Sequence, residues 1–311
     1  MAAEHTEADF PIPAKLNLLI IVGQLVAALA IFFGASRATT WPQIGFLALA
    51  FAILGNSIYS IIHEAEHRML NPNPRVNDAL GAMMALFFPA PYHLIRHGHL
   101  CHHRFNRSDH EAFDLYFEVD HPVVKWIKFY SIITGIYWIT VLLANVAVLV
   151  FPFLLKRKFL EFDQPIAEFV DSLDAHQWTL IKLEAMAVIV LHTSIIVGLG
   201  IPPLNYFLVY FGFGFSWSAM QYVHHFNTER HVLRGTRNLW LLAPIDVCWL
   251  HHNWHLTHHQ QPTVPWIYLR RLGRAQDPHR EFLVWHYLRM CRGPRYTDEH
   301  VASRYTGRVS K

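Results

Sequence analysis

Four stretches of this chain, Leu16–Ala35, Ile44–Ile62, Leu183–Gly200 and Leu204–Gln221, stay apolar for the length a bilayer demands, about 17–25 residues per helix. A helix closes its own backbone hydrogen bonds, so such stretches fold as membrane-crossing helices with few alternatives. The composition agrees. Of 311 residues 53% are hydrophobic and 16% charged, against roughly 25% charged in a soluble domain.

The four stretches pair into two hairpins, one joined by S-R-A-T-T-W-P-Q and the other by the short turn at Pro202 and Pro203. Arg37 is the one basic residue in the first connection and the second has none. By the positive-inside rule both turns face away from the cytosol and the termini face it. Phe129–Leu155 is also apolar, with Lys125 and Lys128 before it and Lys156, Arg157 and Lys158 after it. It is expected to re-enter or lie at the interface, both ends cytosolic. Asp78–Tyr92, too short to span, is expected at the membrane surface. Cys101, Cys248 and Cys291 offer no disulfide framework and fit a reducing compartment.

Between the apolar stretches lie three histidine clusters: His63 and His67 in H-E-A-E-H, His99, His102 and His103 in H-L-C-H-H, and His255, His258 and His259 in H-L-T-H-H. Spacings of three and four put these imidazoles on one face of a helix, where they can converge on a common point. Neutral imidazole suits iron, copper, zinc and nickel, and the scarcity of cysteine argues against thiolate and iron–sulfur sites. Eight ligands exceed what one ion takes, so two metals are expected, each with four or five ring nitrogens. The topology puts every cluster on the cytosolic side.

A ninth ligand is available where the fourth stretch ends in Q-Y-V-H-H. His225 stands four residues after Gln221 on one helix face, and Gln221 could hold a metal-bound water; His224, about 100° away, is the competing choice. His252 and Asn253, with His251, are candidates for orienting ligands through their outer ring nitrogens; His110 and His231 are weaker ones. His93 and His97 could also reach a metal but do not share the spacing of the third cluster. His192, alone in an apolar stretch, reads as a packed polar residue. H-E-A-E-H also satisfies the zinc-protease pattern with Glu64 as general base, which would leave the other clusters unexplained. The G-F-G at 212–214 lacks the rest of a dinucleotide fingerprint and reads as close helix packing.

The order H-x3-H, H-x2-H-H, Q-x3-H, H-x2-H-H, interleaved with two hairpins, resembles the membrane fatty acid desaturase superfamily, which includes acyl desaturases, hydroxylases and ketolases. H-N-W-H-L-T-H-H-Q-Q-P-T-V-P-W at 252–266 is similar to the family's third box, and R-G-T-R-N-L at 234–239 to the stretch upstream. In stearoyl-CoA desaturases an Asn stands four residues before an extra His ligand; Gln221 and His225 match that spacing. The resemblance implies two iron ions held by histidines, with O2 as co-substrate. It also implies oxidation of an unactivated C–H bond in a lipid or acyl-thioester substrate. Desaturation is the leading reading, with hydroxylation or ketolation of an alkyl, carotenoid or sterol lipid as the alternative.

Electrons must come from outside, because the chain carries no nicotinamide or flavin fingerprint. A ferredoxin, a rubredoxin or a b-type cytochrome with its reductase is the implied donor. The basic segment after Tyr268, with ten Lys/Arg against four Asp/Glu, and the arginines around Arg104 and Arg107 are candidate docking surfaces. No basic, aromatic-interleaved motif points to nucleic acid. A metal transporter would keep its site near the membrane midplane, whereas these clusters lie outside the apolar stretches.

The expected architecture is a single all-α integral membrane domain over residues 1–311. It has four transmembrane helices in two hairpins, interfacial or re-entrant helices, and a cytosolic helical cap holding a di-metal site. Residues 1–14 are expected to be disordered and 269–311 to form a basic cytosolic tail.

Overall fold

A computed structural model describes residues 10–277 and 280–310. In chain order the helices are α1 Ala14–Arg37, α2 Trp41–Glu66, α3 Pro74–Phe87, α4 Tyr92–Phe105, α5 Pro122–Ile133, α6 Ile136–Val150, α7 Arg157–Leu160, α8 Gln164–Asp171, α9 Ala175–Leu199, α10 Pro203–Val223, α11 Ala243–Cys248, α12 His255–Gln260, α13 Trp266–Gln276 and α14 Leu283–Met290. Two short parallel strand pairs, which the sequence reading did not foresee, pin the cap together. They join β1 Leu115–Tyr116 to β4 Arg295–Tyr296, and β2 Leu239–Trp240 to β3 Glu281–Phe282.

Among the described residues α1, α2 and α9 are long and apolar enough to cross a membrane. The stretch Leu204–Gln221, expected to span as well, is helical in α10 but falls outside that set, with Asn205, Tyr206, Tyr210 and Trp217 along it. The reason is its position. It packs against α1, α2, α5, α6 and α14, so protein covers faces that lipid would otherwise meet. Its buried Tyr210 and Phe213 interlock with Phe51 of α2 at ring-centroid distances of 4.6 and 5.9 Å.

Each hairpin turn is built from local chemistry. Thr40 caps α2 in a reciprocal box with Gln43, satisfying two donors that the helix leaves orphaned. Gly200 closes α9 in the left-handed conformation at φ 61°, and two prolines then start the next helix. α1 buries Ile21, Gln24, Ala28, Phe32 and Ala35, a stripe at helical spacing, while Leu19, Val22, Val26 and Phe33 point outward. An apolar outer face is what a lipid-facing helix requires. Gly212 approaches the Ala48 carbonyl, where an added Cβ would sit 2.9 Å from the oxygen, and Gly214 is closed over by Trp138. The G-F-G is close packing, as expected.

The apolar stretch 129–155 is not one helix. α5 and α6 meet at 90°, with Gly135 at φ 86° forming the corner. A Cβ there would lie 2.8 Å from Phe215 Cα on α10, so the bend is held by both conformation and contact. At the N-terminal end, residues 1–9 lie outside the described residues, but Phe10 is buried, edge-on to Tyr268 at 5.2 Å. The stretch expected to be disordered is therefore ordered from Phe10 onward.

Polar side chains of α2 carry the cap. The Ser57 hydroxyl donates to the Cys248 carbonyl at 2.5 Å and the Ser60 hydroxyl to the Trp249 carbonyl at 3.0 Å. These bonds dock the turn preceding the third histidine cluster onto the helix that carries the first.

Gly135→Val forces a β-branched residue into positive φ and into Phe215, and should cost roughly 2–4 kcal/mol. Gly23→Ala, where an added Cβ meets nothing within 4 Å, should be neutral or slightly stabilising. Thermal unfolding of the two variants in detergent should separate them clearly.

Candidate metal centre

Four elements bring their histidines to one place. His63 lies in the last turn of α2 and His67 is the residue that caps it. His99, His102 and His103 belong to α4, and His255, His258 and His259 to α12. His225 lies just past the end of α10. The nine ring nitrogens sort into two groups whose members all lie within 4.8 Å of one another: His63, His67, His99, His103 and His258, and His102, His225, His255 and His259.

The boxes do not map one to one onto the groups. On α4, His99 and His103 are four apart and serve the first group, while His102 faces the second. On α12, His255 and His259 share the second group and His258 joins the first. His103 and His259 stack at 4.2 Å between the two groups. The groups are therefore neighbours, held by the same two helices.

Hydrogen bonds between the rings cannot account for this packing. His99 Nε2 lies 2.7 Å from His67 Nε2 and 3.0 Å from His103 Nε2, and His103 Nε2 is also 3.0 Å from His258 Nε2. In the second group His255 Nε2 is 3.1 Å from His225 Nε2 and 3.2 Å from His259 Nε2. A ring nitrogen offers one proton or one lone pair, so it cannot serve two ring partners. His63 Nε2 is buried with no hydrogen-bond partner among the described residues. A cation within each group satisfies every nitrogen at once, and neutral imidazole is the right donor for a transition metal.

Burial also keeps the rings uncharged. His67 is pushed down to about 3, mainly by burial and against the hydrogen bond from Val309 that favours the charged form. Burial takes His252 down to about 4, and burial together with the neighbouring His252 takes His224 to about 3. Burial and the neighbouring rings lower His99, His103, His255, His258 and His259 well below the ordinary imidazole value.

Outer ring nitrogens are held in three cases. His67 Nδ1 meets the Val309 carbonyl at 2.5 Å, His225 Nδ1 the Gly235 carbonyl at 3.3 Å, and His102 Nδ1 the Glu111 carboxylate at 3.3 Å. Such partners fix the tautomer that aims the other nitrogen inward. Behind His225, the fully buried Arg107 pairs with Asp114 and donates to the Tyr222 hydroxyl at 2.6 Å and the Thr228 carbonyl at 3.0 Å. Asp114 in turn accepts the Asn227 N–H at 2.7 Å. Gly235 passes so close to the Arg107 stem that a Cβ would collide with it.

None of Glu111, Asp114, Tyr222, Gly235 or Val309 stands out in sequence. Arg107 does, as a docking residue, but that assignment is corrected: it is 0% exposed, because its charge is consumed by Asp114.

The neighbouring candidates divide. His252 sits between the groups, 4.9 Å from His63 and 5.2 Å from His255 by ring centroids. His224 stacks behind His255 at 4.8 Å with Nδ1 on the Arg237 carbonyl, and it joins neither group. The Gln221 amide donates to the Trp217 carbonyl of its own helix at 3.3 Å. The Asn253 amide donates to the Leu239 carbonyl at 2.8 Å. His251 pairs with Asp246 at 3.0 Å, which secures the turn in which Leu250 and His251 both take positive φ.

His93 pairs with Glu184, His97 with Ser172, and His110 lies 3.8 Å from Glu168, all outside the groups. His231 accepts backbone N–H bonds in its own turn. His192 bridges Leu86 and Tyr206 as a packed polar residue. Glu64, the general base of the protease reading, accepts the Trp266 N–H at 3.1 Å, and box one shares its ligands with two other boxes. Glu66 lies beside the first group, its Oε2 3.9 Å from His99 Nδ1.

Membrane-length helices and a buried two-part histidine cage define a membrane metalloprotein. A family model, fatty acid desaturase, matches residues 39–293, a range that holds every one of the nine histidines. The chain belongs to the fatty acid desaturase family. It is thus a membrane-associated oxidoreductase with a metal site and a lipid substrate. No curated protein matches the chain.

Two outcomes follow from this geometry. Arg107→Met leaves Asp114 buried without its partner, which should cost about 3–5 kcal/mol and lower metal content in the second group, measured by elemental analysis of folded protein. In metal-free protein, the unfolded chain takes up protons near pH 6.5 while folded His67, His224 and His252 resist until about 3 to 4. Stability is therefore full above pH 6.5 and falls as pH drops through that window, by up to about 1.4 kcal/mol per unit per group. A melting temperature unchanged between pH 7.5 and 5 would contradict this.

Proposed function

We propose that the protein is an acyl-lipid or acyl-thioester desaturase. In this reading His63, His67, His99, His103 and His258 hold one iron, and His102, His225, His255 and His259 hold a second. The observation that carries it is the convergence of nine imidazoles into two adjacent groups, directly beyond the end of an apolar helix. When bound, the iron pair supplies the O2 activation and oxidising power needed to break an alkyl C–H bond. The balance is –CH2–CH2– + O2 + 2 H⁺ + 2 e⁻ → –CH=CH– + 2 H2O, with both electrons from an external carrier such as a ferredoxin, a rubredoxin or a b-type cytochrome with its reductase.

The chain's own residues position and enclose. Adjacent methylenes are chemically alike, so the site of oxidation is a matter of placement. Tyr59, one helical turn before His63, forms an aromatic wall with Phe88 at 5.3 Å and Trp217 at 5.5 Å, and Tyr137 stacks on Trp217. Trp254, fully buried under the Arg280 guanidinium, closes the cap over α12 against water.

The same convergence supports our reading of sidedness. α2 and α10 both end at the histidines, and each is the second helix of a hairpin, so α1 and α9 start on that face too. The bent α5–α6 pair then begins and ends on one side, as a re-entrant segment does. With Arg37 the sole basic residue in either turn, the site lies on the cytosolic side.

The test is product analysis by mass spectrometry in cells expressing the intact chain beside His258→Ala. The wild type should yield acyl chains lighter by two hydrogens and the variant none above background. Products heavier by one oxygen would replace desaturation with hydroxylation. Matching lipid profiles from abundant, iron-loaded wild type would overturn the acyl-lipid reading.

A further inference from the structure

The segment from Arg295 to Ser310 is a strap rather than a tail, and it lies beyond residues 39–293 matched by the family model. The Arg295 N–H donates to the Asp114 carbonyl and the Thr297 N–H to the Tyr116 carbonyl, both at 3.0 Å. Arg230 donates to the Glu299 carbonyl at 2.9 Å. Asp109 then fastens the strap, accepting the Val301 N–H at 2.8 Å and pairing with His300 at 2.9 Å, while its own N–H donates to the Val301 carbonyl. The Tyr305 N–H reaches the Arg104 carbonyl at the end of α4. Beyond it, Val309 is buried with its carbonyl 2.5 Å from His67 Nδ1.

We propose that this strap is a working part of the metal centre: the Val309 carbonyl accepts the His67 Nδ1–H and holds the ring with its Nε2 lone pair facing the first metal group. The proposal rests on reading His67 as a metal ligand. His67 needs such a partner because it stands just past the last residue of α2, followed by Arg68 at φ 61°, so helix geometry no longer sets its ring. The other ligand outside a helix, His225, has the same device in the Gly235 carbonyl. By contrast His255 and His258, inside α12, have no partner for Nδ1 among the described residues. Main-chain carbonyls are found at the two ligands that helices do not hold.

A carbonyl on the outer nitrogen fixes both tautomer and orientation, and losing such a partner lowers metal affinity about 10–100-fold. The experiment compares iron retained under chelator titration by the full chain, a chain ending at Gly307, Val309→Ala and His67→Ala. The shortened chain should release one of two irons at about 10–100-fold lower chelator concentration. Val309→Ala keeps the carbonyl and should match the wild type. Wild-type retention by the shortened chain overturns the strap proposal, and so does a Val309→Ala that behaves like it, since packing would then be the cause.

If His67→Ala retains all its iron, the ligand reading fails and the proposal falls with it; that outcome is separable because the strap variants play no part in it. Should the shortened chain not fold, the full chain loaded with zinc gives the answer through the nitrogen chemical shifts of His67. A protonated Nδ1 and a metal-bound Nε2 support the strap, and the reverse assignment overturns it.

Discussion

Nine imidazole nitrogens gathered into two groups, the members of each within 4.8 Å of one another and most of them buried, form the constraint around which the rest of this chain is arranged. Left as they are, the lone pairs face each other and their dipoles oppose. Protonation does not relieve them, since burial disfavours the charge. A shared cation does, and it makes the clustering favourable. Each structural element can be understood by what it contributes to holding that arrangement before the cation arrives.

α2 and α10 interlock through Phe51, Tyr210 and Phe213, and both end at the site, so the first box and His225 are placed by the packing of the bundle. The second box rides on α4, which packs directly on α2, α3 and α9, and the third on the short α12, whose main helix partner is α13. Ser57 and Ser60 dock the turn before α12, and Asn238 accepts the Thr257 N–H within it at 3.2 Å. Polar groups at the top of a membrane helix thus serve as attachment points for the cap, and their hydrogen bonds are strong because water is scarce there.

The histidine boxes were legible because their signal is local. Three- and four-residue spacings predict a shared helix face wherever the chain is helical, and the apolar stretches predict where the helices are. The residues that orient the ligands carry no such signal. Val309 lies 242 positions from His67, Gly235 is one glycine of 15, and Glu111 is an ordinary loop acid. Nearness in sequence does not fix the partner either: Asn253 and His251 adjoin the third box, and they bond to the Leu239 carbonyl and to Asp246. Arg107 was placed on the surface by its charge, but pairing with Asp114 and Tyr222 let it be buried completely.

By itself the sequence determined that the chain is largely helical, that several of its stretches are apolar at membrane length, and that its histidines are spaced to gather at a metal site. Those properties follow from hydropathy and helical period, which act over a few residues. Tertiary structure decided how the nine histidines divide five and four, that His225 and not His224 joins the second group, and that the segment after Tyr268 folds back over the site. These depend on which distant surfaces meet, and no short-range periodicity encodes the meeting of residues separated by most of the chain.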